Sequence, residues 1–103
     1  MLTCGFKELI QLIESNSRIQ IVDVREFDEW INGHFKNAIH LPIGLLSTSL
    51  HLLSKNNHIA LYCKSGYRSG IAAKYLENEG FEVTSIEDNI HEVPKDFLVY
   101  PNK

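Results

Sequence analysis

A cysteine ends an apolar run at position 63, and an arginine follows five residues later, in the segment 61–70, LYCKSGYRSG. Residues 63–68 form a loop between a strand and a helix, so their backbone N–H groups have no partner in either element. Turned inward, successive N–H groups make an anion-binding nest, and the start of the following helix adds a partial positive charge. Lys64 and Arg68 add full charges if their side chains face the site, and Gly66 supplies the backbone freedom that a tight curl needs. A thiol in such a field has a lowered pKa, and the thiolate is the nucleophile. The chemistry that follows is attack by Cys63 and transient storage of an anionic group on its sulfur. A lone cysteine at a strand end is more often inert packing. It is the company of Lys64, Ser65, Gly66 and Arg68 that favours chemistry.

The elements that must position this loop can be read from periodicity. Phe6, Leu9, Ile10 and Ile13 share one helical face, which predicts a helix over 5–15, capped by Thr3 or by Gly5 with Glu8, and ended by Asn16-Ser17. Residues 19–24 are short and β-branched, as in a buried strand. A short helix follows around 28–31, stopped by Asn32-Gly33, with Trp30 read as core. A second strand covers 38–41 and is closed by Pro42. Leu45, Leu46, Leu50 and Leu53 can share a broad helical face, and Asn56-Asn57 is a turn. A third strand is read over 59–62. The next helix is read over 69–78, with Ile71, Ala72, Tyr75 and Leu76 inward and Gly80 as its stop. Residues 81–86 read as a fourth strand. A short helix interrupted by Pro94 fits 90–97, and 98–100 stay unassigned. Strands alternating with helices predict an α/β fold with a mostly parallel sheet covered on both faces. In such sheets ligands lie beyond the carboxyl ends of the strands, where Cys63 sits.

The 103 residues are expected to form one domain over 1–103. A composition of 44% hydrophobic and 22% charged residues is that of an ordinary globular protein. With a net charge of −3 and no basic tract, nothing points to nucleic acid. No apolar stretch approaches the ~20 residues of a membrane span. The N-terminus reads as an amphipathic helix, so a cytoplasmic location is expected. Cys4 and Cys63 are expected to be free thiols, and no cysteine–histidine cluster has metal-site spacing.

Four segments together resemble the rhodanese-like domain family, in the family's order. Residues 21–26, IVDVRE, resemble its DVRE signature; 33–42, GHFKNAIHLP, are similar to its GHIPGAINIP segment; 62–69, YCKSGYRS, resemble its YCxSGxRS loop; and Gly80-Phe81 resembles its glycine-aromatic pair. The resemblance implies a five-stranded sheet, whose unread strand would lie around residues 2–4. It also implies sulfur transfer. Cys63 would take the outer sulfur of a small anionic donor such as thiosulfate, form a persulfide, and pass the sulfur to cyanide, a thiol or a protein acceptor, with no metal or organic cofactor. A six-residue loop from Cys63 to Arg68 goes with sulfur substrates in this family, and the related phosphatases carry one residue more. Two departures stand out. The usual Gly-Gly after the last strand is replaced around Asp88-Asn89, where Asn89 could take the left-handed role of one glycine and Asp88 adds negative charge. The usual Pro-Gly turn is Lys36-Asn37.

Within that frame the substrate-binding candidates are Lys64, Ser65, Gly66, Tyr67, Arg68, Ser69 and Arg25. Lys64 is read as exposed and suited to steering an anion. Arg68 could bind the donor, hold loop carbonyls, or do both. Ser65 and Ser69 could donate to a persulfide, and Ser69 could equally cap the helix. Tyr67 is read as rim. Arg25 either faces the anion site or pairs with an acid such as Asp23, which is itself read as structural. His34 is read as a structural hydrogen-bonding residue, and Cys4 as packing rather than a resolving thiol. The competing readings are a phosphatase or arsenate reductase on the same fold, and an interaction module or persulfide carrier.

Overall fold

The computed structural model describes residues 1–15 and 18–101, so the helix stop read at Asn16-Ser17 lies outside the described residues. The chain runs β1 (Leu2–Cys4), α1 (Phe6–Ser15), β2 (Ile19–Asp23), α2 (Phe27–Trp30), β3 (His34–Phe35), β4 (Ile39–His40), β5 (His58–Tyr62), α3 (Tyr67–Asn78), β6 (Glu82–Ile86) and β7 (Leu98–Val99). Five strands form one parallel sheet in the order β1-β6-β5-β2-β4. The strand expected around residues 2–4 is β1, which pairs with β6 at the sheet edge. A separate antiparallel pair, β3 with β7, was not read from the sequence.

Alternation along the central strands decides which side the cysteine faces. Ile59, Leu61 and Cys63 point to one face with Val22 and Val24, under the Ala72, Ala73 and Leu76 side of α3. Ala60 and Tyr62 point to the other, with Ile21 and the Phe6 and Leu9 side of α1. The sheet is therefore covered on both faces, as expected for parallel strands.

Several boundaries differ from the expectation. Helix α3 begins at Tyr67, with Gly66 at its cap position, so Ser69 lies inside the first turn and is not the cap. Ile71 is 51% exposed rather than inward, because α3 faces the sheet with Ser69, Ala72, Ala73 and Leu76. The four leucines do not share one helix. Two 3-10 helices, Ile43–Thr48 and Leu50–Leu52, bury Leu46 and leave Leu45 exposed. Trp30 is only half-buried and stacks on His34 and His40. The stretch read as one interrupted helix is two 3-10 helices, Ile90–Glu92 and Lys95–Phe97, on either side of Pro94. Asn37 adopts φ +66°, as expected where the family has glycine.

The start of α1 is closed from far along the chain. The Gly5 N–H donates to Glu8 at 2.8 Å, and the Phe6 N–H donates to the Asp88 carboxylate at 2.9 Å. A side chain at Gly5 would collide with that carboxylate.

Beneath the loops at the carboxyl ends of the strands lies a buried ion pair. Asp23 accepts from the Arg25 N–H at 2.8 Å and from its guanidinium at 2.7–3.1 Å, and the same guanidinium donates to the Gly33 carbonyl at 2.7 Å. Both side chains are nearly inaccessible. Removing one partner of such a pair strands a charge. Asp23→Ala is therefore expected to cost about 3–5 kcal/mol of folding stability, read as a lowered urea midpoint.

Candidate functional site

Gly66 shapes the loop. Its φ of +100° lies in the left-handed region, and a Cβ there would come within 2.9 Å of the Glu87 carboxylate and 3.3 Å of the Glu87 backbone. This turn aims backbone donors back at the cysteine. The N–H of Gly66 donates to Cys63 Sγ at 3.1 Å and the N–H of Ser69 at 3.3 Å. The Ser69 hydroxyl lies 3.5 Å from the same sulfur. That hydroxyl is itself held within 2.9 Å of the Ser85 hydroxyl and 3.2 Å of the Gly66 carbonyl. The sulfur is buried at the base of the loop.

These donors decide the state of the thiol. Burial works against the thiolate. Hydrogen bonds from the Ser69 side chain and from the N–H groups of Ser69, Ser65 and Gly66 outweigh it, and hold the Cys63 pKa below that of an ordinary thiol. Cys4 goes the other way. Burial, with the Glu8 and Asp88 charges, raises its pKa. It also packs with the cluster on the opposite face of the sheet from Cys63, so the two thiols are not brought together.

The charged candidates take different places. Lys64 is exposed, and its carbonyl accepts from the Ile90 N–H at 2.8 Å, tying the loop to the turn after β6. Ser65 is exposed, and Tyr67 is 78% exposed on the rim. Arg25 is held by Asp23 and Gly33 rather than aimed at the thiol, though it lines a cleft of about 450 Å³ together with Lys64, Glu29, Asn32 and His91. Among the described residues, Arg68 makes no hydrogen bond to a loop carbonyl. Its guanidinium is clasped by Glu29 of α2 at 2.6 and 2.8 Å. His34 is buried, with Nδ1 3.0 Å from the Phe35 carbonyl, in keeping with a structural role.

The departures after β6 resolve differently from the expectation. Asn89 has φ −70° and ψ 141°, an extended conformation, so it does not replace a left-handed glycine. Its side chain caps the next turn by accepting from the His91 N–H at 2.9 Å. Asp88 turns its carboxylate to the start of α1. Three participants were missed in the sequence: Ser85, Glu29 and the capping role of Asp88. None carries a local signal, because each acts on a residue far away in the chain. Together the loop can stabilise one anionic sulfur and a small negative adduct on it.

The sequence model of the rhodanese-like domain matches residues 6–93. YrkF of Bacillus subtilis is 33% identical over 72 residues, 70% of this chain and 39% of that protein. A sulfurtransferase of Allochromatium vinosum is 29% identical over 75 residues, 73% of this chain and 70% of that protein. The crystal structure of a rhodanese-like domain protein from Staphylococcus aureus superposes with a TM-score of 0.88 at 28% identity, covering 97% of this chain and 98% of that one.

In a Cys4→Ser background, the ultraviolet absorbance of the thiolate is expected to titrate below the ~8.5 of a free cysteine. Adding Ser69→Ala removes one donor to the charged form and is expected to raise that midpoint by about half a pH unit or more. A midpoint that does not move would remove the Ser69 hydroxyl from the set of groups that tune Cys63.

Proposed function

The chain belongs to the rhodanese-like domain family, and from that premise we propose that it is a sulfurtransferase working through a persulfide on Cys63. The observation that carries this reading is the convergence of the Gly66 and Ser69 N–H groups on Sγ at 3.1 and 3.3 Å. The Cys63 thiolate attacks the outer sulfur of a donor such as thiosulfate. A sulfur–sulfur bond forms to Sγ, the bond to the sulfonate breaks, and sulfite leaves with the electron pair. The terminal sulfur keeps the negative charge, and the inward N–H groups with the Ser69 hydroxyl stabilise it. An acceptor nucleophile, cyanide or a thiolate, then attacks that outer sulfur, and Cys63 leaves as the thiolate it was. No metal or organic cofactor enters these steps.

The other candidates take supporting roles in this proposal. Lys64 at the open side draws in the anionic donor. Arg25, its charge matched by Asp23, shapes one wall of the adjoining cleft. Ser65 and Gly66 supply N–H groups, Tyr67 forms the rim over which the acceptor arrives, and Arg68 anchors the far end of the loop. The six residues from Cys63 to Arg68 favour this reading over phosphoryl chemistry, because a small ring of N–H groups suits one sulfur better than four oxygens.

Intact-protein mass spectrometry after incubation with excess thiosulfate tests it. The wild type is expected to gain the mass of one sulfur atom, to lose it on addition of cyanide with release of thiocyanate, and Cys63→Ser is expected to gain nothing. An adduct that survives in Cys63→Ser would sink the assignment.

A further inference from the structure

Glu29 receives both ends of the Arg68 guanidinium, Nη1 on Oε1 at 2.6 Å and Nη2 on Oε2 at 2.8 Å. Two of the five N–H donors are consumed, and the net charge of the group is cancelled. The pair is about three-quarters buried and ties the first turn of α3 to α2. The hydrogen bond from Arg68 prevails over partial burial, with help from the Glu26 N–H, and holds the Glu29 carboxyl down to about 2. Glu29 is therefore ionised at any neutral pH. Arg68 directly precedes Ser69, whose N–H lies 3.3 Å from Cys63 Sγ, and its partner Glu29 lines the same cleft as Lys64. A guanidinium released from Glu29 would offer a tetrahedral oxyanion beside this loop a planar fork matched to two of its oxygens.

We propose that Glu29 is a specificity-determining residue. By occupying the Arg68 fork it withholds that charge from the Cys63 loop. This disfavours tetrahedral dianions (phosphate, sulfate and inorganic thiosulfate) relative to a donor recognised through its sulfur, such as an organic persulfide. Of Arg25, Lys64 and Arg68, the exposed Lys64 is then the one whose charge is left for an inorganic donor. The inference rests on Cys63 being the reactive thiol, as in the function proposed above.

Glu29→Gln is the informative variant. Glu29 also closes a capping box, accepting from the Glu26 N–H at 3.0 Å, and a glutamine oxygen keeps that bond. The experiment uses the full chain in a Cys4→Ser background, with inorganic phosphate as the probe. Two quantities are read: the thiolate titration midpoint of Cys63, and the phosphate concentration that half-protects it from iodoacetamide. With Glu29→Gln the midpoint is expected to fall by about one pH unit. The half-protecting concentration is expected to fall about tenfold, the worth of one charge-assisted hydrogen bond. Adding Arg68→Gln should return both toward their starting values. If Glu29→Gln moves neither quantity, or if Arg68→Gln fails to reverse the change, the proposal is overturned. A midpoint that rises instead, with loss of circular dichroism, would assign Glu29 a purely structural role and also overturn it. Both readouts report on the thiol itself. A protein that accepts no sulfur would thus fail the mass test while leaving this one intact.

Discussion

The left-handed turn at Gly66 is the constraint on which the site depends. At φ +100° its own N–H faces Cys63 Sγ, while its carbonyl accepts the first helical bond of α3, from the Gly70 N–H at 3.0 Å. One residue thus ends the loop and starts the helix. Because α3 starts there, its third residue is Ser69, whose N–H and hydroxyl both reach the sulfur. The Glu87 backbone lies only 3.3 Å from where a Cβ would be. An L-residue at 66 would have to open the turn, and the donors would then swing away from the thiol.

The electrostatics of the site follow from where its cations go. The sequence places Arg25, Lys64 and Arg68 near the cysteine, which looks like a field made of full charges. In the structure two of the three are matched by acids, Arg25 by Asp23 and Arg68 by Glu29. What remains close to Sγ is a set of oriented dipoles: N–H groups, the Ser69 hydroxyl and the start of α3. Dipoles fixed by the fold need no reorganisation when charge appears on the sulfur. They also act over a short range, so they favour charge on the sulfur itself over charge spread on distant oxygens. Burial of Cys63 sharpens this, since the same low-dielectric surroundings that oppose the thiolate strengthen each donor that supports it.

Much of this was legible in the sequence because it is local. The β-branched runs, the glycines at 66 and 80 and the spacing from Cys63 to Arg68 lie within single elements, and they led to the parallel sheet and to the nest. What was missed is long-range or too short to have a period. β3 and β7 have two residues each and acquire meaning only by pairing with one another. Glu29 and Arg68 are 39 residues apart, and Asp88 and Phe6 are 82. Ile71 was placed inward because it is apolar. The face of α3 that meets the sheet carries Ser69, Ala72 and Ala73, whose small side chains let the helix come close enough for Ser69 to touch Ser85 and the cysteine. Ala72 and Leu76 do face inward as expected, and Tyr75 packs against the same cluster, so ranking by hydrophobicity errs only at the edge of this face, where it favours Ile71 over Ser69 and Ala73.

The turn after β6 shows how a departure from a family pattern can be absorbed without loss of the site. An aspartate where flexible glycines are usual would be expected to put a negative charge beside the N–H groups that face Cys63. Here the Asp88 carboxylate is drawn to the unpartnered N–H of Phe6, where the helix dipole favours an anion. Gly5 has no side chain to obstruct that approach. The turn is then pinned from both ends: the Glu87 N–H donates to the Cys4 carbonyl at 2.8 Å, and the Ile90 N–H donates to the Lys64 carbonyl at 2.8 Å. Glycines would leave this connection free to choose its path. The acid, the bare Gly5 and the two backbone bonds fix it instead, so the wall behind Gly66 stays in place and the N–H groups stay aimed at the sulfur.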